Sequence, residues 1–514
     1  MSLFWLAMLV ANGVWAGPAA EVEACLDRYD LRCATAAAKR LGDDPADRVA
    51  AASIEFSMGE FAAAHKSLAG VASTYADDER YQSQLDLYQK SEAATLDFST
   101  LTRGDVTLRY RPGMDDVLVD EAFDTLQATH DRVGPVLGGA PPGGIRIELY
   151  PTAQRFIDAS SLPGTAVRTT GVIALSKWTR LLVSSPRALG HGYAWRDTIA
   201  HEYIHYIVAW RTLDKAPVWL HEGIARSHEA LWSLDEPAAL SPTQQSLLAD
   251  ALANDALVPL ARMHPSMAFL KSADEAALAF AQVSTMMVYL RQNSGPQAVS
   301  QVLDLVREGR DALQAVADVG AAGDADAFMA GWRASLEKMD LVSKKLAASA
   351  VVLDGAADEF ASDPVLSRRF DLARSARLGD LLLDAGYPDA ALVEYAKAIS
   401  PEEGTSPVLA VRTARALIAL GKETEAKAAL AANIADYPEY AGTRSIYANL
   451  LMKVGDRKGA MRHFRAAVDI DPFDPASQAA IADLYSAAGD VPMAERHARY
   501  ARILQSSEPV AATR

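Results

Sequence analysis

The sequence predicts an α+β domain, a small sheet with one histidine-bearing helix, flanked on both sides by all-α helical-repeat regions. Three observations predict it. Residues 100 to 184 read as short strands between Gly/Pro clusters. Around His201 the apolar positions Ile199, Tyr203, Ile204, Ile207 and Val208 recur at three- and four-residue spacing, which is the period of a helix. In the last third, Gly386, Gly421, Gly455 and Gly489 recur at near-constant intervals, which is the mark of a repeat architecture.

The elements follow in order. Residues 3 to 10 are continuously apolar, and Val14-Trp15-Ala16 before Gly17-Pro18 offers the small residues that a signal peptidase reads. Residues 1 to 16 are therefore expected to be an export signal, and the protein periplasmic or secreted in a bacterium. Residues 20 to 95 read as a helical, repeat-like domain, with a turn at Met58-Gly59-Glu60-Phe61 and Ala64 five residues past the glycine. Cys25 and Cys33 bracket a polar turn there. In an oxidising compartment they are candidates for a disulfide, and in cytosol for reduced core thiols. Strands are expected at 106–111, 145–150, 172–175 and 181–184, with a helix between about 115 and 137.

Asp197 and Thr198 are placed to cap the helix that carries His201-Glu202-Tyr203-Ile204-His205, which should end near Trp210. Residues four apart share one helical face, so the two imidazoles can converge on a metal while Glu202 reaches the water to be activated. Residues 211 to 216 form a short connection, and Pro217 suits the first turn of a second, antiparallel helix. Counted from that connection, Glu222 lies at the depth of His205 and can supply a third ligand. Asp214 and His228 are alternatives. His221 and Glu222 point about 100° apart on a helix and cannot both face one metal. A metzincin pattern fails, because Val208 and Arg211 stand where Gly and His are needed.

Pro217-x-Trp219-Leu220-x-Glu222-Gly223-x-Ala225 after the His-Glu-x-x-His helix resembles the gluzincin metallopeptidases, specifically the bacterial peptidase-MA-like domains. The resemblance spans about 100 to 340. It takes in the strand 145–151, then Ala279-Phe280-Ala281-Gln282, Tyr289-Leu290 and Trp332. It implies a zincin-like fold, one Zn2+ per chain held by His201, His205 and Glu222, and Glu202 as general base. It also implies that the edge strand receiving a peptide substrate is 181–184. Two departures stand out: Phe280 where relatives usually have Tyr, and Arg226 where they often have an acid. Asp197 is a candidate outer partner for His201, and Tyr193, His191, His228 and His264 are candidate transition-state donors.

Five residues past each repeat glycine stand Ala391, Ala426, Ala460 and Ala494, and nine past, Tyr395, Leu430, Phe464 and Ala498. Pro401, Pro438 and Pro472 close the second helices. A small residue where two helices approach and a bulky one filling the gap resembles tetratricopeptide repeats over 350 to 510, the last unit being terminal. Such an array implies capture of a protein partner or substrate, with Asp380, Glu394, Arg415, Tyr447 and Arg462 as candidate groove residues. It is expected to be separable near residue 349 from the domain that precedes it.

A net charge of −16, without a Lys/Arg cluster, excludes nonspecific nucleic-acid binding. Past the first residues no segment is apolar enough to span a membrane, so none is expected in the mature chain. The expectation is an exported zinc metallopeptidase acting on peptides or proteins. The absence of a Gly-x-Met-Glu-Asn motif favours an endopeptidase. The alternative is a weakly active or inactive peptidase-like scaffold of the cell envelope.

Overall fold

A computed structural model describes residues 17–506 apart from 29, 161, 163–166, 168–171, 265–266, 268–269, 345, 347–358, 401–403 and 405. The expected export signal and Pro401 lie outside the described residues. The chain opens with helices α1 (Pro18–Asp27), α2 (Leu31–Ala38), α3 (Pro45–Ser57), α4 (Phe61–Ala69) and α5 (Glu79–Thr95). A disulfide joins Cys25 and Cys33 across the α1–α2 turn, and Asp30 caps α2 by accepting from the Cys33 N–H at 2.9 Å. Gly59 turns α3 into α4 with φ +77°. Phe56 stacks on Tyr88 at 4.2 Å, and with Phe61, Ala64 and Leu68 they form this region's own core.

A five-stranded sheet follows: β1 (Ser99–Arg103), β2 (Val106–Tyr110), β3 (Ile145–Tyr150), β4 (Ala174–Lys177) and β5 (Arg180–Ser184). Its order is β1-β2-β3-β5-β4. β2, β3 and β5 run parallel, while β1 and β4 are antiparallel edges. Helix α6 (Val119–Arg132) makes the crossover from β2 to β3, and α7 (Ala153–Ala159) follows β3. The expectation that 181–184 is the free edge is wrong. Leu182 pairs with Glu148 on one side and Leu175 on the other, and β4 holds the edge. The reason is burial: Leu181, Leu182 and Val183 are an unbroken apolar run, as suits a strand covered on both faces.

Beneath β4 and β5 lies α8 (Trp195–Thr212), then α9 (Val218–His228), α10 (Pro242–Ala253), α11 (Ala273–Ser294), α12 (Ala298–Arg307), α13 (Ala312–Val319) and α14 (Ala325–Glu337). α8 begins earlier than expected, after Ala194 and without a side-chain cap. Burial of Trp195, 1% exposed, draws the first turn inward. Asp197 therefore falls inside that turn and caps nothing. Gly223 lets α9 and α11 approach closely, since a Cβ there would meet the Val283 carbonyl at 2.7 Å.

After the short α15 (Glu359–Ser362), the C-terminal third is built of helical hairpins: α16 (Phe370–Asp384) with α17 (Pro388–Lys397), α18 (Pro407–Ala419) with α19 (Glu423–Asp436), α20 (Ala441–Lys453) with α21 (Arg457–Val468), and α22 (Pro475–Ala488) with α23 (Val491–Ser506). The four repeat glycines turn each pair with φ between +74° and +83°, a left-handed conformation that glycine adopts without strain. Ala391, Ala426 and Ala460 are fully buried under Tyr395, Leu430 and Phe464. The fourth hairpin differs: Ala494 and Ala498 are only partly buried, and α23 instead turns Tyr500 and Leu504 into the core shared with the sheet. Asp380 is spent within the array, accepting from the Tyr395 hydroxyl at 2.8 Å.

The array packs directly against the sheet domain. The Tyr193 N–H donates to the Ile470 carbonyl at 3.0 Å. Arg196 pairs with Asp469 at 3.2 Å, Arg496 with Asp124 at 2.7 Å and Lys344 with Asp436 at 2.7 Å. Among the described residues no helix is long and apolar enough to cross a membrane.

Candidate metal centre

Helices α8 and α9 are joined by a short connection that starts with Leu213 and Asp214 in left-handed conformations. The antiparallel return brings Glu222 level with the two histidines of α8. His205 Nε2 lies 3.0 Å from His201 Nε2. Glu222 Oε2 is 3.5 Å from His201 Nε2, and its Oε1 is 3.6 Å from His205 Nε2. One donor atom from each of the three residues lies within 4.8 Å of the others, a convergence that no other His, Cys, Asp or Glu group reaches among the described residues. All three are buried.

His201 Nδ1 sits 2.7 Å from Glu229 Oε2. That contact puts the ring proton on Nδ1 and turns the Nε2 lone pair toward His205 and Glu222, as a metal ligand requires. Burial and the Arg226 charge push the His201 imidazole toward neutrality, but the Glu222 and Glu229 carboxylates outweigh them and raise its pKa. His205 is held well below the ordinary histidine range, by burial above all. Two imidazole nitrogens and one carboxylate oxygen 3.0 to 3.6 Å apart match ligands on an ion with bonds of about 2.0–2.1 Å, and this donor set suits Zn2+. Glu202 is buried one residue along α8.

Neither role expected of Asp197 holds. Its Oδ1 accepts from Trp232 Nε1 at 2.8 Å, and Glu229 takes the place beside His201. Burial, with the nearby Glu229 charge second, pushes the Asp197 carboxyl up to about 6. Sequence reasoning missed Glu229 by looking one turn beyond Glu222, at Arg226. Seven residues make two turns and keep the same face. The two departures from the family pattern meet in space: the Arg226 guanidinium lies over the Phe280 ring, 5.2 Å from its centroid.

The other singled-out residues fall as follows. Asp214 lies past the end of α8, where burial pushes its carboxyl up to about 7. His228 Nδ1 is 3.0 Å from the Ile224 carbonyl of its own helix. The His221 ring lies 5.5 Å from that of His205. His191 stacks on Tyr440 at 5.7 Å, the Tyr193 hydroxyl donates to the Ser184 carbonyl, and His264 is exposed.

Residues 131–338 match the family model of the Peptidase MA superfamily, so the chain carries a metallopeptidase-like domain over that stretch. No curated protein sequence matches. Similar solved structures include MamA (20% identity, TM-score 0.24), covering 30% of this chain and 88% of that one. MamA from Desulfovibrio magneticus RS-1, residues 41 to the end, is 14% identical at TM-score 0.24, covering 44% and 97%. Yeast LTA4 hydrolase in complex with bestatin is 11% identical at TM-score 0.31, covering 79% and 67%.

Proposed function

We propose that this protein is an exported zinc metallopeptidase of gluzincin type, acting as an endopeptidase, whose helical repeats recruit a protein substrate or partner. The observation that carries the reading is the convergence of His201, His205 and Glu222, with His201 oriented by Glu229. A zinc ion held by those three side chains would polarise the scissile carbonyl and make a water acidic enough to deprotonate near neutral pH. Glu202 takes the proton from the attacking water and hands it to the leaving amine nitrogen. Glu229 keeps the His201 tautomer fixed, and the buried setting of the cluster strengthens each of these polar contacts. The edge strand β4 is the candidate surface for pairing with an extended peptide backbone.

Zinc content and peptide hydrolysis test the reading together. Purified protein should hold about one zinc per chain and lose most of it in His201→Ala. Glu202→Gln should keep zinc while turnover falls by about two orders of magnitude or more. Full zinc retention in His201→Ala would refute the ligand assignment. A zinc-loaded wild type that cleaves nothing in a mixed peptide library would leave the scaffold alternative standing.

A further inference from the structure

Arg226 is the exposed side chain on an otherwise buried α9. Its side chain is 39% exposed, against 6% or less for His201, His205 and Glu222. Two contacts hold it still. Nη1 donates to both Glu229 oxygens at 3.4 and 3.3 Å, and the flat face rests on Phe280. Nε and Nη2 donate to nothing among the described residues. Three carboxylates, Glu202, Glu222 and Glu229, lie within reach of its charge, so Arg226 is the cation that balances the acidic side chains of this site beside any bound metal.

The clasp on Glu229 also says what Arg226 does not do. Glu229 sits on the Nδ1 side of His201, while the three donor atoms meet on the Nε2 side. A guanidinium held there stands at the rim and meets a group flanking the reacting carbonyl, not its oxygen. We propose that Arg226 is a specificity-determining residue that anchors a carboxylate of the peptide beside the scissile bond, either an acidic side chain or the chain end. The remaining two donors form the edge that a carboxylate accepts in bidentate fashion. The inference rests on the peptidase reading above.

The test is calorimetric binding of matched peptides to zinc-loaded Glu202→Gln protein, so that no turnover is needed. One pair differs by Glu against Gln beside the scissile bond, the other by a free against an amidated C-terminus. The acid member of one pair should bind about tenfold or more tighter than its amide twin, and which pair responds identifies the source of the carboxylate. Adding Arg226→Gln should erase that preference while neutral peptides and zinc content hold, and Arg226→Lys should restore part of it. Equal binding of acid and amide twins, or equal weakening of every peptide by Arg226→Gln, would overturn the assignment. A carboxylate preference in a protein whose wild type cleaves nothing would keep Arg226 as a carboxylate anchor, overturn the peptidase reading and, with it, the placement beside a scissile bond. No binding of any peptide would overturn both.

Discussion

At the N-terminal contact the sheet is held by buried charge. Arg180, at the start of β5, bonds Glu148 at 2.8 and 3.2 Å and donates to the Phe56 carbonyl of α3 at 3.0 Å. Its guanidinium lies 4.6 Å from the Phe61 ring centroid. At the C-terminal contact the centre is apolar: Tyr500 and Leu504 enter the sheet domain's core, and the partly buried ion pairs of Arg196 and Arg496 flank it. The two contacts also sit at opposite ends of the parallel strands. Arg146 and Arg180 pair at one end of β3 and β5, Tyr150 and Ser184 at the other, and Ser184 is where Tyr193 and the start of α8 attach. A buried ion pair fixes one geometry at a high desolvation cost, whereas apolar burial adds stability with less directional demand. The N-terminal helices are thus positioned by specific bonds remote from the metal centre, and the repeats are glued beside it.

The comparison is broken most severely by deleting the repeats. A chain ending at residue 349 loses Tyr500 and Leu504 from its core, so it should melt far below the full chain and bind little zinc, read by calorimetry and metal analysis. Each side chain alone, as Tyr500→Ala or Leu504→Ala, should cost about 2–5 kcal/mol. A truncated chain with unchanged melting and full zinc would show that the apolar contact contributes nothing.

Next in size is Glu148→Ala, which strands the Arg180 charge and should cost about 3–5 kcal/mol in urea unfolding. Replacing both residues by methionine should cost much less. Zinc affinity should stay unchanged in either variant if this contact is remote in energy as well as in space.

Two glycines sharpen the contrast. Gly59 and Gly192 both have left-handed φ, +77° and +70°, so alanine at either costs about 1–2 kcal/mol from backbone strain. A Cβ at Gly59 meets the ends of the Arg146 and Glu148 side chains, whereas one at Gly192 meets the Ile470 backbone, which cannot rotate away. Gly192→Ala should therefore also weaken zinc binding and Gly59→Ala should not, in a competition with a chelator.

The last effect, similar in size but vanishing at low pH, is electrostatic. Burial pushes the Asp197 carboxyl up to about 6, above the ordinary aspartate range, so the native state binds the proton more tightly. Its ionisation penalises stability progressively as pH rises from about 4 to 6, and in full above that. Asp197→Asn, which keeps an acceptor for Trp232, should be more stable than wild type by about 1–2 kcal/mol at pH 7 and equal to it near pH 4. A gain that persists unchanged at pH 4 would assign it to another cause.

The convergence of His201, His205 and Glu222 was legible because helix arithmetic alone decides it: one turn on α8, and equal depth across a short connection. The repeat hairpins were legible for the same reason, since glycine, alanine and a bulky residue at fixed offsets encode their own local packing. Glu229 was missed although the same arithmetic reaches it two turns on. The free edge was misplaced because strand order is set by tertiary pairing, although the apolar run 181–183 already marked a strand buried on both faces. The docking of α23 left only a faint trace. Ala498 stands where the other repeats carry a large residue, and the sequence does not say where Tyr500 goes instead.

Residues 191–193 are gripped by two successive connections between hairpins of the repeat array, His191 stacking on Tyr440 and the Tyr193 N–H bonding Ile470. That arrangement is a two-point clamp. The spacing of those two loops and the path of the short segment spanning them are therefore tied together. That segment leads directly into the first turn of α8, so the place where the histidine-bearing helix begins is set in part by the spacing of two adjacent repeats.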